Sequence, residues 1–132
     1  MKKFINNPSE FVDEVLEGIV KVHSNQLRFV SNDRRGIVRK NAPVKDKVAI
    51  ATGGGAGHLP LFLGYVGEGL ADGVSVGNVF TSPSADTMYE VCKEIDGGKG
   101  ILLLYGNYFG DKMNFDLTSE MLKEHNIQVR TI

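Results

Sequence analysis

Two short apolar runs that pass directly into glycine-rich segments constrain the fold of this chain more than any other feature. The first run covers residues 47–52 and ends at the glycines of segment 53–57, and the second covers residues 100–105 and ends at Gly106. Continuous apolar runs of this length are typical of strands buried on both faces, as in the interior of a parallel sheet. A helix-like pattern follows each run, so the sequence predicts repeated strand, loop and helix units.

The remaining elements are predicted from apolar spacing and capping residues. Helical spacing is expected over residues 9–23, with Ser9 as a candidate N-cap, and over 59–65, 85–95 and 114–124. The helix over 85–95 is expected to have a capped start, with a proline, at residues 81–84. Segments 27–30 and 36–39 are expected to be edge strands or irregular connections, and 127–132 a final strand. The predicted fold is α/β, with a mostly parallel or mixed sheet flanked by helices and truncated within a strand at the C-terminus.

Composition limits the number of domains and the classes of partner. The 132 residues are 42% apolar and 23% charged, which fits one soluble globular domain. The formal net charge is −1 with both signs interspersed, so the chain has no broad cationic face for nucleic acid. No window of residues is apolar for long enough to predict a membrane span.

Cysteine usage excludes two kinds of site. Cys92 is the single cysteine, so an intrachain disulfide and metal sites built on paired thiolates are both ruled out. We predict no metal site, expect Cys92 to lie in the core of the helix over 85–95, and expect a reducing, cytoplasmic setting.

The segment from Gly53 to His58 is the first candidate for chemistry. Clustered glycines let backbone amides converge on an anion, but the segment lacks the Lys and Ser/Thr of a nucleotide P-loop and the spacing of a dinucleotide fingerprint. His58, directly behind the glycines, is a candidate general acid or base, or a hydrogen-bond donor to a substrate carbonyl. The alternative is a structural histidine that caps its own loop.

The segment after the second apolar run contains the second candidate. Asp111 lies in a predicted loop with Gly106 and Gly110, and it would face one pocket with His58 if the two strands are neighbours. A carboxylate and an imidazole in one crevice suit proton transfer from a hydroxyl. Asp111 is equally well placed to cap the helix that follows, and spacing alone does not decide between these roles.

Four motifs in order give the chain a family resemblance that extends from Phe4 to the last residue. The chain resembles the dihydroxyacetone kinase family through Gly-Gly-Gly-Ala-Gly-His at 53–58, Gly-Tyr-Val-Gly-Glu-Gly at 64–69, Phe-Thr-Ser-Pro at 80–83, and Asn-Tyr-Phe-Gly-Asp at 107–111 followed by Asn114 and Phe115. The resemblance implies the N-terminal part, residues 1–132, of a substrate-binding domain for a short-chain ketose.

The resemblance also implies residue roles. His58 would hydrogen-bond the ketose, and Asp111 would take the proton of the hydroxyl that is phosphorylated. The implied substrate-contacting set is Gly55, Ala56, Gly57, His58, Gly106 and Asp111. A further family histidine that forms a hemiaminal with the substrate belongs to a later part of the family domain, so whether this chain acts alone as an enzyme is left open.

Partners follow from the same resemblance. The chain itself is expected to hold no cofactor, because the phosphoryl donor, ATP with Mg or a phosphoprotein, would belong to a separate nucleotide-binding domain or donor subunit. The complete protein is expected to be a homo-oligomer.

Three departures from the family pattern affect the expected substrate. Ala56 replaces a usual serine, Leu59 replaces a usual acid, and Gly106 stands where characterised members can carry a lysine. Because a hydrogen-bonding site discriminates strongly by such groups, a four-carbon ketose such as erythrulose is a second candidate beside dihydroxyacetone. Two further alternatives are a ketose-binding regulatory paralogue without phosphoryl transfer and a generic α/β module that binds another phosphate compound.

Overall fold

The computed structural model describes residues 2–132 and is built around a six-stranded sheet. Its strands are β1 (Leu27–Phe29), β2 (Gly36–Arg39), β3 (Ala49–Gly55), β4 (Gly73–Gly77), β5 (Ile101–Tyr105) and β6 (Val129–Thr131). Its helices are α1 (Phe11–Val22), α2 (Ala85–Ile95) and α3 (Phe109–Glu124), and single 3-10 turns cover Ala56–His58 and Leu63–Tyr65. None of the helices within 2–132 is both long and apolar enough to span a membrane.

The sheet is mixed, which confirms the predicted fold class. Its strand order is β1-β2-β4-β3-β5-β6. The first two strands and the β2–β4 pair are antiparallel, whereas β3 runs parallel to both β4 and β5, and β5 runs parallel to β6. The carboxyl ends of β3, β4 and β5 therefore meet at one edge of the sheet.

Apolar side chains fill both faces of the sheet. Helices α2 and α3 cover one face, where Val91, Cys92 and Phe115 pack against Ala51 and other strand residues. Helix α1 and the second 3-10 turn cover the other face, with Leu16 and Leu63 packed among residues of β2 and β4. Each fully buried aliphatic or aromatic side chain of this kind contributes roughly 1.5–3 kcal/mol.

The glycine segment differs most from its predicted structure. Residues 53–55 continue β3 instead of forming a loop, because all three pair with β4 and Gly53 also pairs with Tyr105 of β5. The predicted helix over 59–65 is also wrong, since the 3-10 turn Leu63–Tyr65 is its only helical part. No helix N-terminus therefore follows the glycines, and the phosphate-cradle interpretation of this segment is not supported.

The boundaries of other strands and helices also differ from the predicted ones. Strand β4 was not predicted, and β2 lies inside the sheet between β1 and β4 with all its residues buried, not at an edge. Helix α3 begins at Phe109, five positions before the predicted 114, so Asp111 lies in a helix and not in a loop. The predicted Ser9 cap is wrong because α1 begins at Phe11 with Glu10 in the N-cap position.

Two local predictions are confirmed. Ser84 caps α2, because its hydroxyl oxygen accepts a hydrogen bond of 3.1 Å from the Thr87 N–H. Cys92 is fully buried on that helix, and burial, assisted by the nearby charge of Asp96, raises the pKa of its thiol well above the ordinary range. A thiol in this state is an inert core residue.

Candidate active site

A cavity of about 260 Å³ opens at the edge where β3, β4 and β5 end. Residues at or after the end of each of these strands line the cavity. They are Gly55 and His58 at and after the end of β3, residues 79–82 after β4, and Tyr108 and Asp111 after β5. Ligands bind preferentially at the carboxyl ends of strands in open α/β sheets. This cavity is therefore the candidate active site.

The glycines at the end of β3 permit a close approach of the connection after β4. Ala56 N–H donates to the Asn78 carbonyl at 3.1 Å, and Gly57 N–H donates to the Val79 carbonyl at 3.0 Å. A Cβ atom at Gly55 would lie 3.0 Å from the Asn78 carbonyl oxygen, and one at Gly57 would overlap the Val79 carbonyl oxygen. Side chains would push the two segments apart, so these glycines are required for contact between backbones.

His58 ends the 3-10 turn that follows β3 and reaches the cavity from its exposed rim. Its ring packs edge-to-face against Phe62 with the ring centroids 6.0 Å apart. Phe62 thus packs against one edge of the imidazole, and the imidazole can still contact a small molecule in the cavity.

Asp111 also lines the cavity and is 5% exposed. It is the third residue of α3 and not the N-cap, a position occupied by Tyr108 without a side-chain cap bond. Within residues 2–132 the buried Oδ1 atom has no hydrogen-bond partner. A buried acceptor without a partner costs about 1–3 kcal/mol, and the N-terminal turn of α3 favours the carboxylate charge.

The predicted substrate-contacting residues separate into two groups. Gly55, His58 and Asp111 line the cavity, whereas Ala56, Gly57 and Gly106 do not. The amides of Ala56 and Gly57 already donate to backbone carbonyls, which explains why these residues hold the turn together instead of facing the cavity. A substrate contact by any of these three stays a prediction.

The segment that follows β4 was not predicted to belong to the site. Val79, Phe80, Thr81 and Ser82 form one wall of the cavity, and the buried Ser82 Oγ has no hydrogen-bond partner within residues 2–132. The Phe-Thr-Ser-Pro motif at 80–83 could have indicated this wall, but it was used only as evidence of the family resemblance. Without β4, whose Gly-Val-Ser-Val-Gly sequence is short and weakly apolar, nothing placed this motif at the sheet edge.

Among residues 2–132, the cavity lining includes the Asp111 carboxylate and the His58 imidazole but no Lys or Arg. Tyr105, at the end of β5, stacks on Phe115 with ring centroids 4.1 Å apart. Burial and the charges of Asp116 and Asp111 raise the pKa of Tyr105, against the opposing effect of its hydrogen bond with Thr131. Its hydroxyl is therefore protonated and neutral near pH 7.

Similar proteins are dihydroxyacetone and erythrulose kinases. The PTS-dependent dihydroxyacetone kinase 2, dihydroxyacetone-binding subunit, of Listeria innocua is 46% identical over the whole chain. The dihydroxyacetone-binding subunit of the PEP-dependent kinase of Escherichia coli is 40% identical, and the L-erythrulose 1-kinase of Mycolicibacterium smegmatis is 39% identical, each again over the whole chain. The chain spans 40%, 36% and 23% of the lengths of these three proteins, respectively.

Solved structures share the fold. The dihydroxyacetone kinase of C. freundii in complex with AMP-PNP and Mg2+ superposes with a TM-score of 0.91 at 31% identity, over 99% of this chain and 25% of that one. The dihydroxyacetone kinase operon co-activator superposes with a TM-score of 0.83 at 27% identity, over 91% of this chain and 36% of that one. The family model of the Dak1 domain matches residues 17–132. The chain therefore belongs to the Dak1 domain family.

Proposed function

We propose that this chain holds the ketose-binding site of a dihydroxyacetone-kinase-type transferase. The observation that carries the proposal is the buried Oδ1 of Asp111, which has no protein partner within residues 2–132 and belongs to a cavity that also contains His58. A ketose offers both groups that such a pair needs, namely a hydroxyl for the carboxylate and a carbonyl oxygen for the imidazole. The relatives named for dihydroxyacetone and erythrulose support the same ligand class.

In this proposal the two side chains have different roles. The ketose hydroxyl oxygen attacks the phosphorus of the donor, its proton passes to the Asp111 carboxylate, and the bond between phosphorus and the donor's leaving group breaks. His58 N–H donates to the ketose carbonyl oxygen and orients the substrate. Covalent capture is not assigned to the other histidines, because His23 and His125 lie at the C-caps of α1 and α3 and do not line the cavity.

The phosphoryl donor, ATP with Mg or a phosphoprotein, belongs in this proposal to a separate domain or subunit. Residues 53–55 are paired within the sheet and cannot wrap a nucleotide phosphate, and residues 2–132 contain no group of three or more His, Cys, Asp or Glu that would hold a metal ion. These residues thus do not fit a nucleotide–metal complex. The rim residues Phe80 and Tyr108, 92% and 61% exposed, leave an apolar surface at the cavity mouth for the donor unit.

The proposal also includes a homo-oligomeric protein in the cytoplasm, which the family resemblance implies. The single, buried Cys92 needs no oxidising compartment.

A four-carbon ketose is the second candidate substrate. Gly106 leaves free space beside the site, since a Cβ atom there would meet only Phe62 at 3.9 Å. Relatives named as D-erythrulose and L-erythrulose kinases are 42% and 41% identical to the chain.

A ketose-binding regulator is the other alternative, and the shared fold of the operon co-activator favours it.

Binding of free ketose tests the proposal. We expect titration of dihydroxyacetone and of erythrulose to shift the NMR signals of His58, and His58→Asn to weaken binding about 10-fold, because a hydrogen bond contributes about 0.5–1.5 kcal/mol. His23→Asn is the matched control, since that histidine lies outside the cavity. Tighter binding of a nucleotide or sugar phosphate than of either free ketose would refute the assignment.

A further inference from the structure

Asn78 connects the two backbone segments that form opposite parts of the cavity wall. Its carbonyl oxygen accepts from Ala56 N–H at 3.1 Å and from Thr81 N–H at 3.3 Å. Its own N–H donates to Thr81 Oγ1 at 3.1 Å. The turn that carries His58 and the segment 79–82 therefore meet at one residue.

Arg35 holds the side chain of Asn78. Its NH1 group donates to Asn78 Oδ1 at 3.0 Å, and its Nε donates to Asp13 Oδ1 on α1 at 2.5 Å. The Arg35 backbone is fixed on both sides, because its N–H donates to Asp33 Oδ1 at 2.8 Å and its carbonyl accepts from Val76 N–H at 2.9 Å. The guanidinium thus projects from an anchored point beside the sheet.

We infer that Arg35 and Asn78 are positioning residues of the ketose site. Neither lines the cavity, so both act through the backbone bonds that Asn78 makes to the His58 turn and to Thr81. The inference rests on the proposed function, because the placement of His58 and Thr81 affects binding only if a ketose occupies the cavity.

The physical reason is that the Asn78 turn is exposed, so its backbone hydrogen bonds are open to water. Backbone hydrogen bonds at exposed chain segments open locally with little free-energy cost. A hydrogen bond from a charged guanidinium is about twice as strong as a neutral one. The bond from Arg35 therefore restrains Asn78, whose backbone carbonyl accepts from Ala56 N–H. Binding groups must keep their geometry to within about 0.5 Å, so a loosened turn misplaces His58.

Two readouts on the 132-residue chain test the inference. We expect Arg35→Ala and Asn78→Ala to accelerate amide hydrogen exchange at Ala56 and Gly57 about 10-fold, and to weaken dihydroxyacetone binding by a similar factor, equivalent to about 1.4 kcal/mol. Arg35→Lys keeps a cation and should restore part of both effects. The effects of Arg35→Ala and Asn78→Ala should also be strongly non-additive, as expected for partners in one contact.

Arg34→Ala is the matched control, because Arg34 precedes Arg35 in the chain but pairs with Glu17 at 3.6 Å. It should leave both readouts unchanged. Asp13→Ala separates the bond to α1 from the bond to Asn78, and it should cost much less than Arg35→Ala.

Three results would overturn the inference. The first is amide exchange at Ala56 and Gly57 in Asn78→Ala at the wild-type rate. The others are additive effects of Arg35→Ala and Asn78→Ala in the double variant, and equal losses of ketose binding in Asp13→Ala and Arg35→Ala. Failure of the proposed function is a distinct result. A wild-type chain that binds no ketose refutes the ligand assignment, while the exchange data still decide whether Arg35 and Asn78 order the turn.

Discussion

Two buried aspartates at opposite ends of the sheet have contrasting surroundings. Asp72, 2% exposed, directly precedes β4 and accepts hydrogen bonds from Arg39 NH1 at 3.1 Å, from Lys47, and from the Ile50 N–H at 2.8 Å. Asp111 is 5% exposed and follows β5, and its Oδ1 has no partner within residues 2–132. Two aspartates of similar burial thus differ in hydrogen bonding: both carboxylate oxygens of Asp72 have donors, whereas Asp111 Oδ1 has none within residues 2–132.

The difference separates a structural end of the sheet from the end that is functional under the proposal. Burial of a carboxylate is tolerated when charged and backbone donors compensate for lost hydration, and the donors of Asp72 come from β2, β3 and the segment before β3. That cluster ties three neighbouring chain segments together. At the opposite edge, the open acceptor of Asp111 is a cost to folding that a bound hydroxyl would offset.

The largest expected effect is on turnover and tests the functional end. For the complete protein, the proposed function predicts that Asp111→Asn reduces phosphoryl transfer ~100-fold to 10,000-fold, because an amide keeps the shape but cannot accept the hydroxyl proton. Ketose binding should persist. Steady-state turnover, with borohydride trapping or mass spectrometry to follow bound ketose, separates the two quantities. Near-normal turnover would assign Asp111 to a purely structural role in α3.

The next effect is on stability and tests the structural end. Asp72→Asn should lower the free energy of unfolding by about 3–5 kcal/mol, because it leaves the buried Arg39 without its ion-pair partner. Asp111→Asn is the matched control and should change that free energy by less than about 1 kcal/mol, since it breaks no ion pair. Urea denaturation measures both variants, and equal losses would remove the contrast between the two ends.

The smallest effect concerns Glu94 on α2, a half-buried carboxylate with an intermediate environment. Burial alone would raise its pKa, but hydrogen bonds from Ser31 N–H and Arg28, with the Arg28 charge, hold the pKa below its ordinary value of 4.5. A pKa lowered by folding stabilises the protein above 4.5, and this contribution is lost as the pH falls through the folded-state pKa. Acid should therefore weaken the contact to Ser31 and Arg28.

Denaturation at a series of pH values measures this contribution. Glu94→Gln should remove part of the acid sensitivity, by no more than about 1 kcal/mol for a partly exposed pair. Glu90→Gln, one turn earlier on the same helix and paired with the exposed Lys93, should leave the pH profile unchanged. Identical profiles for the two variants would contradict the role of Glu94.

Local sequence was sufficient for the elements with strong patterns. The apolar runs of β3 and β5, the capped start of α2 and the core position of Cys92 were all predicted, since each depends on a few adjacent residues. The same information predicted an α/β fold and, through four motifs, the family. His58 and Asp111 were selected together because each follows a buried strand.

Tertiary structure decided which backbone segments meet. Glycines favour loops on their own, but residues 53–55 are strand because β4 pairs with all three and β5 pairs with Gly53. The wall formed by residues 79–82 and the bond from Arg35 to Asn78 arise from contacts between segments distant in sequence. The placement of the same segments leaves Asp111 Oδ1 without a partner within residues 2–132. Sequence thus determined which residues were available for chemistry, whereas their grouping into one cavity depended on the pairing order of the strands, a non-local property that no single segment encodes.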